Sequence, residues 1–282
     1  MKIAIIGYGK MGKMIEQAAA AAGHTITAVV DPAAQCAAAE VVPARTAPNG
    51  PRLFRDLAEA ISEAGLCGAE AAIEFTQPGS ALANIKILAE GKIPAVIGTT
   101  GWHDKLYDAR RLVEQAGSSL IWSSNFSLGV YLFYRIAWHA AQLADSFPEY
   151  DIGGFEAHHN KKMDSPSGTA RTLVDGVLER VKRKEKAVWE TLSRRPQPDE
   201  LHFLSLRMGS VPGTHSLFFD SAADTIEITH TARSREGFAA GAVRAAQWLA
   251  GSSASADSSA EADGGPRKGF FTIDDMLKDL LK

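Results

Sequence analysis

The segment that most constrains the fold is KIAIIGYGKMG, Lys2 to Gly12, near the start of the 282-residue chain. It begins with a short apolar run, typical of a buried strand, and an amphipathic segment from about Met11 to Ala22 follows. The glycines have the GxGxxG spacing, which allows a tight turn, close approach of the backbone to a pyrophosphate and close helix packing. We therefore predict a dinucleotide-binding turn, with a purely structural glycine turn as the alternative. The glycines of this turn are Gly7, Gly9 and Gly12.

Asp31 closes the next apolar run, Thr25 to Asp31, and completes a βαβ unit. An acidic side chain at this point accepts hydrogen bonds from the adenosine ribose hydroxyls and repels a 2′-phosphate. The sequence continues Pro-Ala-Ala, so no arginine stands beside it to bind such a phosphate. The pattern favours NADH over NADPH, although Lys10, Lys13 and Arg45 could still bind a phosphate. A simple turn-starting Asp-Pro pair is the alternative.

The rest of the first half alternates short apolar runs with helix-length segments. Further strands are predicted at 71–76, 94–100 and 120–125, with helices near 80–90 and 104–116. Strands that are buried on both faces and separated by helices indicate a parallel, doubly wound sheet of Rossmann type. Such sheets bind ligands beyond the carboxyl ends of their strands. Gly98, Thr99 and Thr100 lie at such an end and are predicted cofactor contacts, with a plain tight turn as the alternative.

The pattern changes after Ser127. A helix near 129–144, the strand-like DIGGFEAHH and a helix near 168–184 precede three strand-like runs, LHFLSLRMG, HSLFFDS and DTIEITHTA. Consecutive strands joined by short polar turns indicate antiparallel pairing. We therefore predict a second, α+β domain at 127–231 with a mostly antiparallel sheet, and assign 1–126 plus 232–282 to the dinucleotide-binding domain.

The C-terminal part is predicted to contain a helix at 237–250, a low-complexity loop at 251–266 and a short helix over FTIDDMLKDLL. The loop is too poor in apolar residues to pack. The basic run from Arg180 to Lys186 is expected to be the solvated end of the preceding helix.

Composition narrows the classes of partner. The formal net charge is -3, so we expect neither nucleic acid nor an anionic membrane as a partner. No apolar run reaches about 18 residues, so neither a membrane span nor a signal peptide is expected. Two cysteines, Cys36 and Cys67, form neither a disulfide framework nor a metal-ligand spacing, which favours the cytoplasm.

The densest group of titratable side chains lies in FEAHHNKKMDSPSGTA, at 155–170. His158, His159, Lys161 and Lys162 come at the end of a predicted strand and supply positive charge and proton donors. A lysine pair is commonly solvated surface, and a histidine pair can be half of a metal site. Adjacent histidines on a strand end diverge, however, and a metal would need a third ligand from elsewhere. We therefore expect no metal.

The second half of this segment, SPSGTA, is predicted to open a helix. Ser167 is a natural N-cap, and the N–H groups of Gly168 and Thr169, with the helix dipole, form a carboxylate-binding site. A plain helix cap is the alternative. Beside histidines and lysines, and in a chain with a dinucleotide site, the segment suits a small acid on which a proton is placed or removed.

EAHHNKKMDSPSGTA resembles the signature of the 4-hydroxy-tetrahydrodipicolinate reductase family, also called dihydrodipicolinate reductases, Glu-x-His-His-x-x-Lys-x-Asp-x-Pro-Ser-Gly-Thr. GYGKMG, EFTQP, GTTG, NFSLGV and ITHTARSREGFAAGAVRAAQWL extend the resemblance over nearly the whole chain. It implies NAD(P)H-dependent reduction of a small dicarboxylate, 4-hydroxy-tetrahydrodipicolinate, to tetrahydrodipicolinate in diaminopimelate and lysine biosynthesis. It also implies a homotetramer assembled through the second domain.

Carried over by position, the resemblance implies that His158 is catalytic and that Lys162 is the proton donor. The substrate-binding residues it implies are His159, Ser167, Gly168 and Thr169. It also implies cofactor contacts by Asp31, by the Gly98–Thr100 turn and by all of the glycine loop, which includes Tyr8, Lys10 and Met11 beside Gly7, Gly9 and Gly12. The further cofactor contacts are Phe75, Thr76, Ser123, Ser124, Asn125 and Phe126.

The chain departs from the family pattern at three points that concern the cofactor. Glu74-Phe75-Thr76 stands where many members have Asp-Phe-Thr, Gln77 stands where a basic residue is common, and no arginine follows Asp31. Two other functions stay open. Another two-domain amino-acid dehydrogenase would share the glycine loop but would not need the His-His and Pro-Ser-Gly-Thr combination. A module that binds NADH without turnover would not need a proton donor beside an anion site.

Overall fold

A computed structural model describes residues 1–33, 50–251 and 265–280 of the chain. The chain divides into two compact units, Met1–Phe126 with Phe238–Lys282, and Ser127–Gly237. The second unit thus ends a few residues later than the predicted boundary, and Ala232 N–H donates to Gly213 O at 2.8 Å within it. Three features discussed above lie outside the described residues: Cys36, Arg45 and most of the low-complexity loop.

The secondary structure is as follows. The strands are β1 (Lys2–Ile6), β2 (Thr25–Val30), β3 (Arg52–Phe54), β4 (Ala71–Glu74), β5 (Ala95–Ile97), β6 (Ser119–Trp122), β7 (Asp151–His158), β8 (Lys186–Val188), β9 (Glu200–Arg207), β10 (Thr214–Asp220), β11 (Thr225–Thr231) and β12 (Gly269–Thr272). The helices are α1 (Lys10–Ala21), α2 (Leu57–Ser62), α3 (Ala64–Gly68), α4 (Pro78–Glu90), α5 (Leu106–Ala116), α6 (Leu128–Ala144), α7 (Gly168–Leu178), α8 (Glu236–Leu249) and α9 (Ile273–Leu280). Within the described ranges, no helix combines the length and apolar character needed to cross a bilayer.

The first unit is built on a seven-stranded sheet in the order β12-β6-β5-β4-β1-β2-β3, with every pairing parallel. The prediction of a Rossmann-type sheet is confirmed. β1 lies between β4 and β2, so the chain winds outward from it in both directions. Open sheets bind ligands at such a reversal point, beyond the carboxyl ends of the strands.

The sequence does not predict the two edge strands, β3 and β12. β12 pairs with β6, with Phe271 opposite Ile121, so the expected helix over FTIDDMLKDLL is wrong for Phe271 and Thr272. The helix begins at Ile273. Such a short run becomes a strand because it meets the open edge of a sheet, which local sequence does not reveal.

The second unit is a five-stranded sheet, in the order β11-β10-β7-β9-β8, packed against α6 and α7. The predicted second α+β domain is confirmed. Its core combines apolar residues of the inner sheet face with the apolar stripes of both helices. The core members from the sheet are Ile152, Leu201, Phe203, Leu217 and Phe219, and those from α7 are Ala170, Leu173, Val174 and Val177.

This second sheet is mixed rather than mostly antiparallel. β10 pairs antiparallel with β11 and β7, whereas β9 pairs parallel with β7 and β8. The prediction that the consecutive runs LHFLSLRMG and HSLFFDS pair with each other is wrong, because β7 lies between them. Their link crosses the end of β7 instead, where Met208 N–H donates to His158 O at 2.9 Å.

Helix α7 ends at Leu178, earlier than predicted, and the basic run that follows is not a solvated helix end throughout. Lys184 is only 3% exposed, and its Nζ donates to Glu200 O at 2.7 Å. Arg183 Nη2 donates to Tyr150 O at 2.6 Å. These cations bind backbone carbonyls of the second unit, which the local charge pattern does not indicate.

Candidate functional site

The loop between β1 and α1 has the geometry expected of a phosphate-binding turn. Gly7 has φ +89°, and a Cβ atom there would lie 2.1 Å from the Phe75 backbone oxygen, so only glycine fits. A Cβ on Gly12 would lie 2.3 Å from Gly7 O, so α1 packs closely on this loop. A Cβ on Gly9 would meet nothing within 4 Å among the described residues, so protein packing does not explain this glycine. Gly9 is also the N-cap of α1 and supplies no capping side chain, which leaves N–H groups for an anion.

Asp31 lies directly after β2, beside this loop. Its Oδ2 accepts a hydrogen bond from Tyr8 N–H at 2.7 Å, and its Oδ1 accepts one from Ala33 N–H at 2.8 Å. A carboxylate has further lone pairs, so Asp31 can still accept from ribose hydroxyls. The Tyr8 hydroxyl donates to Glu16 of α1, and burial together with this carboxylate raises the pKa of Tyr8. The loop is thus tied both to the end of β2 and to its own helix.

The predicted contacts after β4, β5 and β6 lie at the same sheet edge. Thr76 N–H donates to Thr99 Oγ1 at 2.7 Å, which links the ends of β4 and β5. The Phe75 ring covers Gly98, where a Cβ would lie 2.0 Å from a ring carbon, and its centroid is 6.4 Å from that of Phe126. Among the remaining predicted contacts, Ser123 is buried and binds Asn125, whereas Thr100 and Ser124 are exposed.

Glu74, at the end of β4, is a buried carboxyl group that the sequence identifies only as a departure from the family. Its Oε1 accepts from Asn84 Nδ2 at 3.1 Å and from the Thr76 hydroxyl. Burial raises the pKa of Glu74, and these hydrogen bonds offset that effect only in part. The side chain is fully buried at the edge that carries the predicted cofactor contacts.

In the second unit, the inner face of the sheet is apolar along most of its length and polar at one end. Ser205 of β9 lies opposite Glu156 of β7, Glu156 opposite His215 of β10, and His215 opposite His230 of β11. Directly opposite residues share a face, and alternation puts this row on the same face as the core residue Leu217. A polar row therefore crosses four strands at the end of an apolar core.

Glu156 is the centre of this row. It is fully buried, and its Oε1 accepts from Ser205 Oγ at 2.8 Å, from Ser167 N–H at 2.9 Å and from Arg207 Nη2 at 3.0 Å. Its Oε2 lies 3.1 Å from His158 Nδ1. Burial favours the neutral acid, but the close approach of the two histidines and the hydrogen bond from Ser167 prevail and hold the pKa of Glu156 well below its usual range.

His158 and His215 form a pair of buried imidazoles beside this carboxylate. They are 7% and 3% exposed, and their ring centroids are 5.1 Å apart in an edge-to-face arrangement. His215 Nε2 lies 3.5 Å from Glu156 Oε2 and 3.3 Å from Ser167 Oγ. Burial lowers the pKa of His215, so this ring is neutral near pH 7.

The residues after β7 form a short turn that carries the predicted lysine. Lys162 N–H donates to His159 O at 3.1 Å, and its Nζ pairs with Asp164 Oδ1 at 2.8 Å. Lys162 and His159 are half-buried, whereas Lys161 is exposed. The exposure of the two side chains thus distinguishes Lys162 from Lys161. In the sequence alone, only the family signature makes this distinction.

Helix α7 begins where the sequence predicts it. Ser167 is the N-cap, and its Oγ accepts from Ala170 N–H at 3.1 Å. Gly168 is exposed in the first turn, and a Cβ there would meet nothing within 4 Å among the described residues. The start of this helix is therefore open to an anion beside the buried cluster.

Glu156, His158 and His215 also place possible metal ligands within 4.8 Å of one another. This group contains His158 but not the adjacent His159, and its other two possible ligands come from β7 and β10. Glu156 Oε1, however, already accepts from three donors, one of which is the cationic Arg207. Because this guanidinium charge opposes a second cation, the donors present fit a carboxylate–imidazole cluster better than a metal site.

Sequence reasoning missed Glu156, Ser205, Arg207 and His215 as site residues. Glu156 stands inside the quoted signature without a role, and its position two residues before His158 on a strand was the signal that could have identified it. Arg207 and His215 carry no local signal, because each lies in an ordinary strand run and reaches the site only through sheet pairing.

A Rossmann-type unit with an open glycine loop, joined to an α+β unit with a buried imidazole–carboxylate cluster, is an arrangement typical of nucleotide-dependent oxidoreductases. Two family models agree with this class. The one described as "Dihydrodipicolinate reductase, N-terminus" matches residues 1–126, and the one described as "Dihydrodipicolinate reductase, C-terminus" matches residues 129–277. The chain belongs to the dihydrodipicolinate reductase family.

Individual relatives cover the chain to a similar extent. A protein of Christiangramia forsetii named 4-hydroxy-tetrahydrodipicolinate reductase is 34% identical over 282 residues, covering 100% of both chains. One of the same name from Archaeoglobus fulgidus is 39% identical over 216 residues, 74% of this chain and 76% of its own. The structure of dipicolinate-bound dihydrodipicolinate reductase from Paenisporosarcina sp. TG-14 has a TM-score of 0.66 and 19% identity, and covers 96% of this chain and 97% of its own.

Proposed function

We propose that the protein reduces 4-hydroxy-tetrahydrodipicolinate, via dihydrodipicolinate, to tetrahydrodipicolinate with NADH or NADPH, in diaminopimelate and lysine biosynthesis. The observation that carries the proposal is the cluster at one end of the second core, where Glu156 contacts both His158 and the residue that caps α7. Membership of the family across both units supports the same reaction. So does the name of the Christiangramia forsetii relative, which covers the whole chain.

The first unit is proposed to bind the nucleotide. The open space beside Gly9 and the uncapped start of α1 suit a pyrophosphate, and Asp31 suits the ribose hydroxyls. NADH is the favoured cofactor, because a 2′-phosphate would meet the Asp31 carboxylate. When bound, the reduced nicotinamide supplies the hydride.

The second unit is proposed to bind the dicarboxylate and to supply the proton. A substrate carboxylate would accept hydrogen bonds at the start of α7, from Ser167, Gly168 and Thr169, with His159 as a further contact. Loss of water from the hydroxylated ring gives a conjugated imine, and addition of a hydride to that ring leaves one negative charge. His158 and Lys162 then deliver the one proton that neutralises it. The proposal uses no metal ion.

A turnover assay tests the function directly. The protein is mixed with freshly made 4-hydroxy-tetrahydrodipicolinate and either NADH or NADPH, and loss of the nicotinamide absorbance is followed. We expect turnover that depends on the substrate and is faster with NADH. A protein that binds NADH but consumes none in the presence of substrate would contradict the reductase function and favour a sensing module.

We also propose a cytoplasmic homotetramer, as the family resemblance implies. Leu132, Ile136 and Leu143 of α6 are about half exposed, at 49%, 57% and 57%, and soluble monomers rarely leave clusters of large apolar side chains uncovered. Light scattering coupled to gel filtration should give four times the chain mass of 30.1 kDa. A mass of one chain would contradict the assembly without affecting the proposed reaction.

A further inference from the structure

Glu156 carries no assigned role, yet its carboxylate contacts three parts of the site in the second unit. We propose that Glu156 is a positioning residue that holds the His158 imidazole, the turn carrying Lys162 and the start of α7 in one arrangement for proton transfer. The inference rests on the proposed reductase function, because it gives Glu156 a part in the proton step of that reaction.

The carboxylate acts as a fixed negative charge. Its low pKa keeps it ionised at neutral pH in spite of full burial. Among the described residues, the charged or titratable groups that face it are His158 of β7, Arg207 of β9 and His215 of β10. Arg207 supplies the counter-charge that a buried anion requires. Removing the carboxylate would therefore leave several donors without their acceptor.

The contact with His158 favours one ring nitrogen as the site of the hydrogen. Nδ1 lies 3.1 Å from the ionised carboxylate of Glu156, and although the two atoms do not form a well-aligned hydrogen bond, the negative charge favours the hydrogen of the neutral imidazole on this nitrogen. Nε2 then has a free lone pair and can exchange a proton with a substrate. In the Ser-His-Asp triad, a buried carboxylate likewise holds the imidazole in one tautomer and orientation.

The contact with Arg207 extends the effect to Lys162. The Nη2 atom of Arg207 donates both to Glu156 Oε1, at 3.0 Å, and to the Asp164 backbone oxygen, at 2.7 Å. The Asp164 carboxylate in turn pairs with Lys162 Nζ at 2.8 Å. Glu156 therefore fixes, through one guanidinium, the turn on which the proposed proton donor lies.

The third contact fixes the proposed carboxylate-binding site. Glu156 Oε1 accepts from Ser167 N–H at 2.9 Å, and Ser167 is the N-cap of α7. One carboxylate thus sets the position of the helix start relative to His158. Glu156 therefore positions both the proposed carboxylate-binding site and the proposed proton donor His158. Proton transfer requires that the two groups be aligned in this way.

The test compares Glu156→Gln with a matched control, Glu200→Gln. Glu200 is also almost fully buried in the second unit, at 4% exposure, and accepts two hydrogen bonds from Arg194 at 2.7 Å, but it contacts none of the proposed site residues described above. We expect Glu156→Gln to lower kcat about 10²-fold, the size of a general-acid contribution, with little change in KM for NADH. Glu200→Gln should lower the melting temperature and leave kcat near the wild-type value.

A measurement on the wild-type protein covers the case in which Glu156→Gln does not fold. ¹⁵N NMR of the histidine side chains at alkaline pH should find neutral His158 with its hydrogen on Nδ1. A hydrogen on Nε2 would overturn the proposal, and so would a Glu156→Gln enzyme with wild-type kcat or a kcat loss matched by Glu200→Gln. Wild-type protein without reductase activity would instead contradict the proposed function. In that case the tautomer of His158 would still show whether Glu156 acts on its Nδ1.

Discussion

Gly213 lies directly against the imidazole of His158. A Cβ atom on Gly213 would be 3.1 Å from His158 Nε2 and 3.3 Å from its Cδ2, and Gly213 has φ +150°. This glycine ends the turn between β9 and β10, which crosses the end of β7. His158 Nε2, the atom that we propose exchanges a proton with the substrate, therefore lies beside this glycine. A larger residue at position 213 would displace the His158 ring.

Gly213→Ala should lower turnover by moving the His158 ring. The ring must shift by a few tenths of an ångström to admit the methyl group, and we expect kcat to fall about tenfold with NADH affinity unchanged. Gly209→Ala is the matched control, because Gly209 lies in the same turn with φ +48° and a Cβ there would meet nothing within 4 Å among the described residues. Equal loss of kcat in both variants would show that backbone strain, and not the contact with His158, is responsible.

His158→Gln and Lys162→Ala should retain nucleotide binding and lose turnover. Each removes one of the two proposed proton donors, and general acid catalysis contributes roughly 10²- to 10⁴-fold. Titration of NADH by fluorescence and steady-state assays separate the two effects. Lys161→Ala is the control for the lysine, since Lys161 is the exposed neighbour. Strong activity in either site variant would refute its assignment.

Gly9→Ala and Gly7→Ala should fail in different ways. A methyl group on Gly9 meets no described protein atom within 4 Å but enters the space proposed for the pyrophosphate, so the Kd for NADH should rise about tenfold at unchanged melting temperature. A methyl group on Gly7 would lie 2.1 Å from the Phe75 oxygen on a backbone with φ +89°, so it should destabilise the protein by about 1–3 kcal/mol. Calorimetry and NADH titration distinguish them, and a Gly9→Ala protein with wild-type Kd would contradict the proposed site.

The stability that Glu74→Gln gains over the wild-type protein should be larger at neutral pH than at acidic pH. Burial raises the pKa of Glu74 above its ordinary 4.5, so the folded state binds this proton more tightly than the unfolded chain does. Stability from such a group is greatest below the unfolded pKa and is lost as the pH rises through the folded pKa. The difference in melting temperature between Glu74→Gln and wild type should therefore grow in favour of the variant from about pH 5 to about pH 8.

The control for this prediction is Glu59→Gln, which changes an exposed carboxylate of α2 in the same unit. Its melting-temperature difference from wild type should stay nearly constant over the same pH range. A constant difference for Glu74→Gln as well would mean that the Glu74 carboxyl group titrates normally in the folded protein.

The sequence by itself determined those features that rest on contiguous residues. The strand, glycine turn and helix at the N-terminus were readable because apolar run, glycine spacing and helical periodicity adjoin within Lys2 to Ala22. The N-cap at Ser167 and the start of α7 were readable for the same reason. In each case the interactions that form the structure lie within a few residues, so local physics suffices.

Only the tertiary structure decided how strands pair and which side chains meet. β7 lies between β9 and β10, so the sheet is mixed, and β12 completes a sheet whose other strands come from the first half of the chain. The same pairings bring Arg207 and His215 to Glu156 from 51 and 59 residues away along the chain, as their numbers show (207 - 156 and 215 - 156). Contacts of this kind depend on sheet order and register, which are set by the packing of the whole core and leave no mark in the local sequence.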